Sequence, residues 1–170
     1  MIARISSIEI EEQTSPRGRF ALRRRLVSEA LRAQDPDDRE APFDIEFAQL
    51  PPGKRNYPHH SHATEWELYY ALAGAAMLRV GTGADEETLQ LEAGSVAMCP
   101  PGLAHQLINS GSEDFTYLVI SNNAPFDTYY YPDSDKVFVN PVLGANKDQP
   151  GYFWTKFRSG ASPSYFDGEE

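Results

Sequence analysis

From residue 43 onward, the chain alternates short apolar stretches with clusters of turn-forming residues. Turns rich in proline and glycine separate the stretches, such as Pro51-Pro52-Gly53 and Pro100-Pro101-Gly102. Only 19 residues lie between Gly74 and Gly94, which leaves room for two strands and one hairpin. The pattern predicts an all-β barrel over residues 43–121. Its strands are predicted at about 43–50, 56–63, 65–73, 75–81, 87–92, 95–99, 104–109 and 115–121.

Residues 15–34 show a helical pattern instead. This segment holds six of the fifteen basic residues, and its apolar residues Leu22, Leu26, Val27 and Ala30 recur at helical spacing. We therefore expect a short amphipathic helix within an N-terminal extension, residues 1–42. Acidic residues follow closely in the sequence, so we interpret the arginines as a solvated helix face rather than an anion site.

Residues 122–170 form a C-terminal extension rich in aromatic residues, proline and aspartate. Apolar content this high is typical of buried segments, so we expect the extension to pack on the barrel or at a dimer interface. Asp133 and Asp135 lack the glycine and the terminal glutamate of a calcium loop, and we predict no calcium there. A chain of 170 residues is expected to form a single structural domain.

The formal net charge of −10 argues against nucleic acid or an anionic membrane as a partner. Cys99 is the single cysteine, which excludes an internal disulfide. The N-terminus has no apolar signal core, and no apolar run approaches the ~18 residues that a membrane span needs. These features predict a soluble, cytoplasmic protein whose partners are small molecules.

Three potential metal ligands lie within eight residues, at His60, His62 and Glu67. Alternate residues of a strand share one face, so the two imidazoles should point the same way, and a tight turn would return Glu67 to that face. His105 follows the Pro100-Pro101-Gly102 turn. The proline presets one backbone angle and the glycine permits a positive one, so the chain can reverse and deliver His105 inward.

The spacing of these residues resembles the two sequence motifs of the cupin superfamily. His60-x-His62, four residues, Glu67, six residues and Gly74 resemble the first motif. Gly94, five residues, Pro100-x-Gly102, two residues, His105, three residues and Asn109 match the second. Gly53 departs from the first motif, because six residues separate it from His60 where the family usually has five.

The resemblance implies a double-stranded β-helix, also called a jelly roll, that binds one divalent metal ion through His60, His62, Glu67 and His105. Three imidazoles and one carboxylate suit Fe, Mn, Co, Ni or Zn. A cupin with all four ligands would act on a small polar metabolite, either as a dioxygenase or as an isomerase of a sugar or sugar phosphate. The alternative is a non-catalytic cupin that binds a small ligand or metal and has a regulatory role.

Strand parity extends this interpretation to neighbouring residues. Tyr69 should share the inner face with Glu67, where it is either a catalytic proton donor or a core residue. His59 should face outward, and the direction of Glu65 is left open by the turn before Glu67. A phosphorylated substrate would need cations at the barrel mouth, for which the barrel segment offers Lys54, Arg55 and Arg79.

Trp66, Leu68 and Tyr70 should form an apolar stripe on the outer face, which predicts a homodimer. The predicted core includes Ile45, Phe47, Leu72, Leu78, Leu89, Val96, Leu107 and Val119.

Overall fold

The computed structural model describes residues 1–39, 41–124, 126–140 and 155–158. Within these ranges the chain forms thirteen strands and one short α-helix, α1, at Val27–Arg32. The strands are β1 Glu11–Thr14, β2 Ala21–Leu26, β3 Phe43–Leu50, β4 Ser61–His62, β5 Glu67–Ala73, β6 Ala75–Val80, β7 Glu87–Glu92, β8 Val96–Cys99, β9 His105–Ile108, β10 Phe115–Asn122, β11 Asp127–Tyr131, β12 Lys136–Asn140 and β13 Thr155–Arg158.

The strands form three antiparallel sheets, and the predicted all-β jelly-roll fold is confirmed. The largest sheet has the order β1-β2-β3-β10-β5-β8, and a smaller one has the order β7-β6-β9. A third sheet, β13-β12-β11-β4, is built mainly from the C-terminal extension. Its contact with the barrel is made through β4, which carries one of the candidate metal ligands.

The core lies between the inner faces of the sheets, where alternate side chains point inward. Leu78 and Leu107 are buried as predicted. The prediction was wrong for Leu72, Leu89 and Val96, which are exposed at 38%, 45% and 61%. Leu72 and Val96 lie on the outer face of the large sheet, and Leu89 lies on β7, an edge strand.

The N-terminal helix is shorter than its sequence pattern indicated. Residues 21–26 form strand β2, which pairs with both β1 and β3. Arg24 of β2 forms ion pairs with carboxylates on the two neighbouring strands, at 2.7 Å from Glu46 and 3.0 Å from Glu11. Pairing with two strands outweighs the local helical periodicity, so only Val27–Arg32 is helical.

The strand predicted at 56–63 is reduced to the two residues of β4. The backbone before it makes isolated bridges instead. His60 and His105 pair in this way, with backbone N–H to O distances of 3.2 Å and 2.8 Å. The first and fourth candidate ligands, His60 and His105, are therefore held together directly by backbone hydrogen bonds.

The described part of the C-terminal extension packs on the barrel, because β11 pairs with β4. The division into 1–42, 43–121 and 122–170 stays a prediction, although β1 and β2 join the largest sheet of the barrel. Trp66 and Tyr70 are exposed, and the homodimer stays a prediction. Among the described helices, none is long and apolar enough to cross a membrane.

Gly74 provides a test of the fold at the turn between β5 and β6. Its φ is +74°, and a Cβ there would meet the backbone oxygen of Asp114 at 2.5 Å. Gly53 has a similar φ of +71° but no atom within 4 Å of such a Cβ. Both alanine substitutions incur about 1–2 kcal/mol of backbone strain, and Gly74→Ala adds about 1–3 kcal/mol of overpacking.

We expect urea unfolding to show a clearly larger loss of unfolding free energy for Gly74→Ala than for Gly53→Ala. Equal losses in the two variants would contradict the close approach of β10 to this turn.

Candidate metal centre

Four side chains from separate segments converge in the barrel: His60, His62, Glu67 and His105. Their candidate ligand atoms all lie within 4.8 Å of one another, and the three histidines are buried. His62 lies on β4, Glu67 begins β5 and His105 begins β9. The structure thus brings together the four residues that the sequence motifs singled out.

Each imidazole is oriented by a hydrogen bond at Nδ1. His60 Nδ1 lies 2.8 Å from the Pro58 carbonyl oxygen, and His105 Nδ1 lies 2.9 Å from that of Leu103. A carbonyl oxygen only accepts, so both Nδ1 atoms carry a hydrogen. In the neutral rings the lone pair is then on Nε2, the form in which imidazole binds a metal.

His62 has the same arrangement, with a carboxylate as its partner. Its Nδ1 lies 2.7 Å from Asp127 Oδ2. Asp127 is buried, and its Oδ1 accepts hydrogen bonds from the backbone N–H groups of Ala63 and Thr64 at 3.0 Å and 2.9 Å. Burial acts to raise the pKa of Asp127, but the hydrogen bonds from His62 and the backbone outweigh it, so the net pKa is lowered.

Sequence reasoning missed Asp127, which lies 65 residues after His62. The sequence does contain one indication of this role: Asp127 is an acidic residue in an aromatic segment that is expected to pack on the barrel.

Glu67 is the negative partner of the cluster. Its Oε2 accepts hydrogen bonds from His105 Nε2 at 2.6 Å and from Tyr69 Oη at 2.5 Å. Burial acts to raise the pKa of Glu67, but the bond and charge of His105 and the other imidazoles lower it to about 2.

The pKa values of His105 and His60 are shifted in opposite directions. Burial acts to lower the pKa of His105, but its bonds to Cys99 and Glu67 raise it to about 10. Burial, together with the charge of His105, lowers the pKa of His60 to about 4. Without a metal, the positive charge of protonated His105 therefore balances the negative charge of Glu67. The carboxylate of Glu67 thus stabilises a positive charge at the centre of the cluster.

The cluster fits a divalent metal by two criteria. The first is the donor set of three imidazole nitrogens and one carboxylate, which suits Fe, Mn, Co, Ni or Zn. The second is His62 Nε2, which is buried, has no hydrogen-bond partner among the described residues, and lies 3.8 Å from Glu67 Oε1. An unsatisfied buried nitrogen costs about 1–3 kcal/mol, which a bond to a metal would offset.

The cluster opens into a cavity of about 440 Å³. Aromatic side chains of the C-terminal extension form one wall, and polar side chains of the barrel sheet form another. Arg24 is the one arginine or lysine among the described lining residues. The wall residues are Tyr129, Tyr131 and Phe138 on the aromatic side, and Asp44, Glu46 and Ser121 on the polar side.

Tyr69 faces inward beside Glu67, as strand parity predicted, and is almost fully buried. Glu65, whose direction was left open, also lines the cavity, and its Oε2 lies 3.5 Å from His62 Nδ1. Burial raises the pKa of Glu65 to about 7.

The prediction for His59 was wrong, since its side chain is buried with 1% exposure and not on the surface. Residues 56–60 do not form a regular strand, so parity does not hold there. Cys99 is buried, as expected for a small apolar group.

The three barrel cations considered for a phosphate do not line the cavity. Lys54 donates to the backbone oxygen of Gly18 at 2.7 Å. Arg55 donates to Gln106 at 3.1 Å, and Arg79 pairs with Asp133 at 2.7 Å. Their positive charges are thus engaged outside the cavity.

Comparisons with known proteins find similarity in the barrel sequence and in the overall fold. Residues 46–121 match the family model of the cupin domain. A glucose-6-phosphate isomerase from Thermococcus gammatolerans is 32% identical over 96 residues, which are 52% of this chain and 51% of that protein. The chain therefore spans about half the length of this curated relative.

Two solved structures share the fold over nearly the whole chain. A candidate sugar phosphate isomerase from Acidithiobacillus ferrooxidans has a TM-score of 0.74 at 20% identity, covering 94% of this chain and 90% of that one. A sugar phosphate isomerase of the cupin superfamily from Silicibacter pomeroyi has a TM-score of 0.72 at 23% identity, covering 98% of both chains. At these identities the likeness concerns the fold.

The electrostatics of the cluster predict how pH and metal affect stability. His105 has a folded pKa above its unfolded value of about 6.5, so its contribution is complete below pH 6.5 and is lost as pH rises toward 10. Glu67 has a lowered folded pKa, so its contribution is lost only as pH falls from about 4.3 toward 2. Metal-free protein should therefore lose stability between pH 6.5 and 10.

A bound metal would replace the proton on His105, and protons would compete with it at low pH. With free metal at about a thousand times Kd, the ion adds roughly 4 kcal/mol. A chelator should then lower Tm by roughly 10 °C at pH 8 and by much less at pH 5. Thermal unfolding with and without chelator measures this difference in Tm. The His62→Ala variant, which lacks one ligand, is the control. Equal chelator effects at both pH values, or unfolding on chelation at room temperature, would contradict the site.

Proposed function

Residues 46–121 form a cupin domain, and from this premise we propose that the protein is a mononuclear metal-dependent isomerase of a small sugar or sugar phosphate. The observation that carries the proposal is the convergence of three imidazoles and one carboxylate at a polar cavity. The similarity to a glucose-6-phosphate isomerase supports the choice of isomerisation over dioxygenation.

His60, His62, Glu67 and His105 would hold one divalent ion of the Fe, Mn, Co, Ni or Zn type. When bound, such an ion would polarise the carbonyl and hydroxyl oxygens of a sugar and so ease the shift of hydrogen between neighbouring carbons. The protein's own contribution is to orient the ligands and the substrate and to keep a proton donor in place.

Tyr69 is the proposed catalytic residue. Burial, together with the neighbouring charge of Glu67, raises its pKa well above the ordinary value, so its hydroxyl stays protonated. Its Oη donates its single hydrogen to Glu67 Oε2 at 2.5 Å. It lies on the cavity lining, where rotation of the hydroxyl would let it donate to a substrate oxygen instead.

The cavity walls suit a sugar. The aromatic wall offers flat apolar faces to C–H groups, and it excludes water from one side of the site. The opposite wall offers carboxyl and hydroxyl groups, which are the partners that sugar hydroxyls require. A volume of about 440 Å³ accommodates one small metabolite.

The test is an aldose–ketose conversion assay with metal-loaded protein, using phosphorylated and unphosphorylated hexoses and pentoses. Tyr69→Phe should lower kcat about 100-fold at saturating metal, since it removes one positioned proton donor. Tyr70→Phe is the matched control, because Tyr70 lies next to Tyr69 on the outer face of β5 and is exposed. Its kcat should stay within about twofold of the wild type.

Absence of isomerisation in protein that retains its metal would contradict the proposal and favour the non-catalytic binding role. Consumption of O2 with turnover would identify the dioxygenase instead. Equal kcat values for Tyr69→Phe and the wild type would reject the catalytic role of Tyr69.

A further inference from the structure

A row of paired residues leads from the metal cluster across the C-terminal sheet to a lysine. His62 on β4 pairs with Tyr129 on β11, Tyr129 pairs with Phe138 on β12, and Phe138 pairs with Lys156 on β13. Directly paired residues lie on the same face of a sheet. Lys156 therefore lies on the same face of the sheet as the cavity-lining rings of Tyr129 and Phe138, one strand beyond them.

A second row lies beside the first on the same face. Tyr131 pairs with Lys136, and Lys136 pairs with Arg158. Arg158 is two residues from Lys156 on β13, so their side chains share one face. Three cations are thus grouped at the outer end of the aromatic wall.

The two lysines lean toward the rings that line the cavity. Lys156 Nζ lies 5.1 Å from the centroid of the Phe138 ring. Lys136 Nζ lies 5.4 Å from the centroid of the Tyr131 ring. Both contacts are within cation–π distance, and they hold the ammonium groups on the cavity side of the sheet.

In the described part of the chain, Lys136, Lys156 and Arg158 form no ion pair, although the protein has a net charge of −10. By contrast, Arg24 in the cavity pairs with Glu46 and Glu11.

Directly paired like charges destabilise a sheet, and Lys136 is paired with Arg158 in this way. A bound anion would remove that repulsion, and a phosphate would accept hydrogen bonds from several of these donors.

We propose that Lys136, Lys156 and Arg158 bind the phosphate group of a phosphorylated sugar whose carbonyl end lies at the His/Glu cluster. The proposal rests on the proposed function for the identity of the sugar end. Three strand spacings separate the backbones of His62 and Lys156, roughly 14 Å. Lys156 Nζ leans back toward the ring of Phe138, which lies on the strand one spacing nearer to the cluster. The substrate would thus span the aromatic wall from the metal to the cations.

The test compares two double variants with equal loss of charge. Lys156→Gln/Arg158→Gln removes two of the proposed phosphate ligands, both on exposed side chains. Arg4→Gln/Arg17→Gln removes two exposed cations that do not line the cavity. Calorimetry of the metal-loaded proteins at about 0.15 M salt, where long-range charge effects are screened, measures Kd for glucose 6-phosphate, glucose and inorganic phosphate.

The Kd for glucose 6-phosphate should rise at least about tenfold in Lys156→Gln/Arg158→Gln and change less than about twofold in the control. Glucose binding should not change in either. Inorganic phosphate should still bind the His62→Ala variant, because the metal is not its site. Neither double variant should lose more than about 1 kcal/mol of unfolding free energy, because relief of the Lys136–Arg158 repulsion opposes loss of the Lys156–Phe138 contact.

Equal Kd values for glucose 6-phosphate in the two double variants would overturn the phosphate site, as would a wild type that binds neither phosphate probe. These outcomes are distinguishable from failure of the proposed function. Phosphate-dependent binding without isomerisation would contradict the isomerase and leave the phosphate site standing. Isomerisation with an unchanged KM in Lys156→Gln/Arg158→Gln would contradict the phosphate site and leave the isomerase standing.

Discussion

The hydrogen bond at Nδ1 of each imidazole is the constraint on which the site depends. Three histidines can bind one metal only if their Nε2 atoms point to a common centre, and each ring would otherwise rotate about its side-chain bonds. Carbonyl oxygens orient His60 and His105, and a buried carboxylate orients His62. The backbone bridge between His60 and His105 then fixes the distance between two of these rings.

The C-terminal extension completes a centre whose four candidate ligands all come from the barrel. Asp127 reaches back from β11 to orient His62 and to accept hydrogen bonds from the turn after β4. Strands β11 and β12 supply the aromatic wall, and the cations lie beyond it on β12 and β13. The pairing of β11 with β4 and the hydrogen bonds of Asp127 hold this sheet on the barrel, and its register determines which side chains reach the cavity.

The sequence predicted those parts of the site that depend on local geometry. Spacing and turn chemistry identified the four candidate ligands, and strand parity placed Tyr69 beside Glu67 correctly. Parity was wrong for His59, because the backbone before β4 pairs in isolated bridges and not as a regular strand. Asp127 and strand β2 were missed, because both depend on pairing between segments far apart in the chain, which a local pattern does not encode.

The metal centre that this geometry supports has three imidazoles and one carboxylate as ligands, and the single cysteine, Cys99, is close by but not a ligand. X-ray absorption spectroscopy of protein loaded with one equivalent of zinc tests this directly, because it counts imidazole and sulfur scatterers around the ion. We expect three imidazoles, additional oxygen and no sulfur. Two or fewer imidazoles, or a sulfur from Cys99, would contradict it.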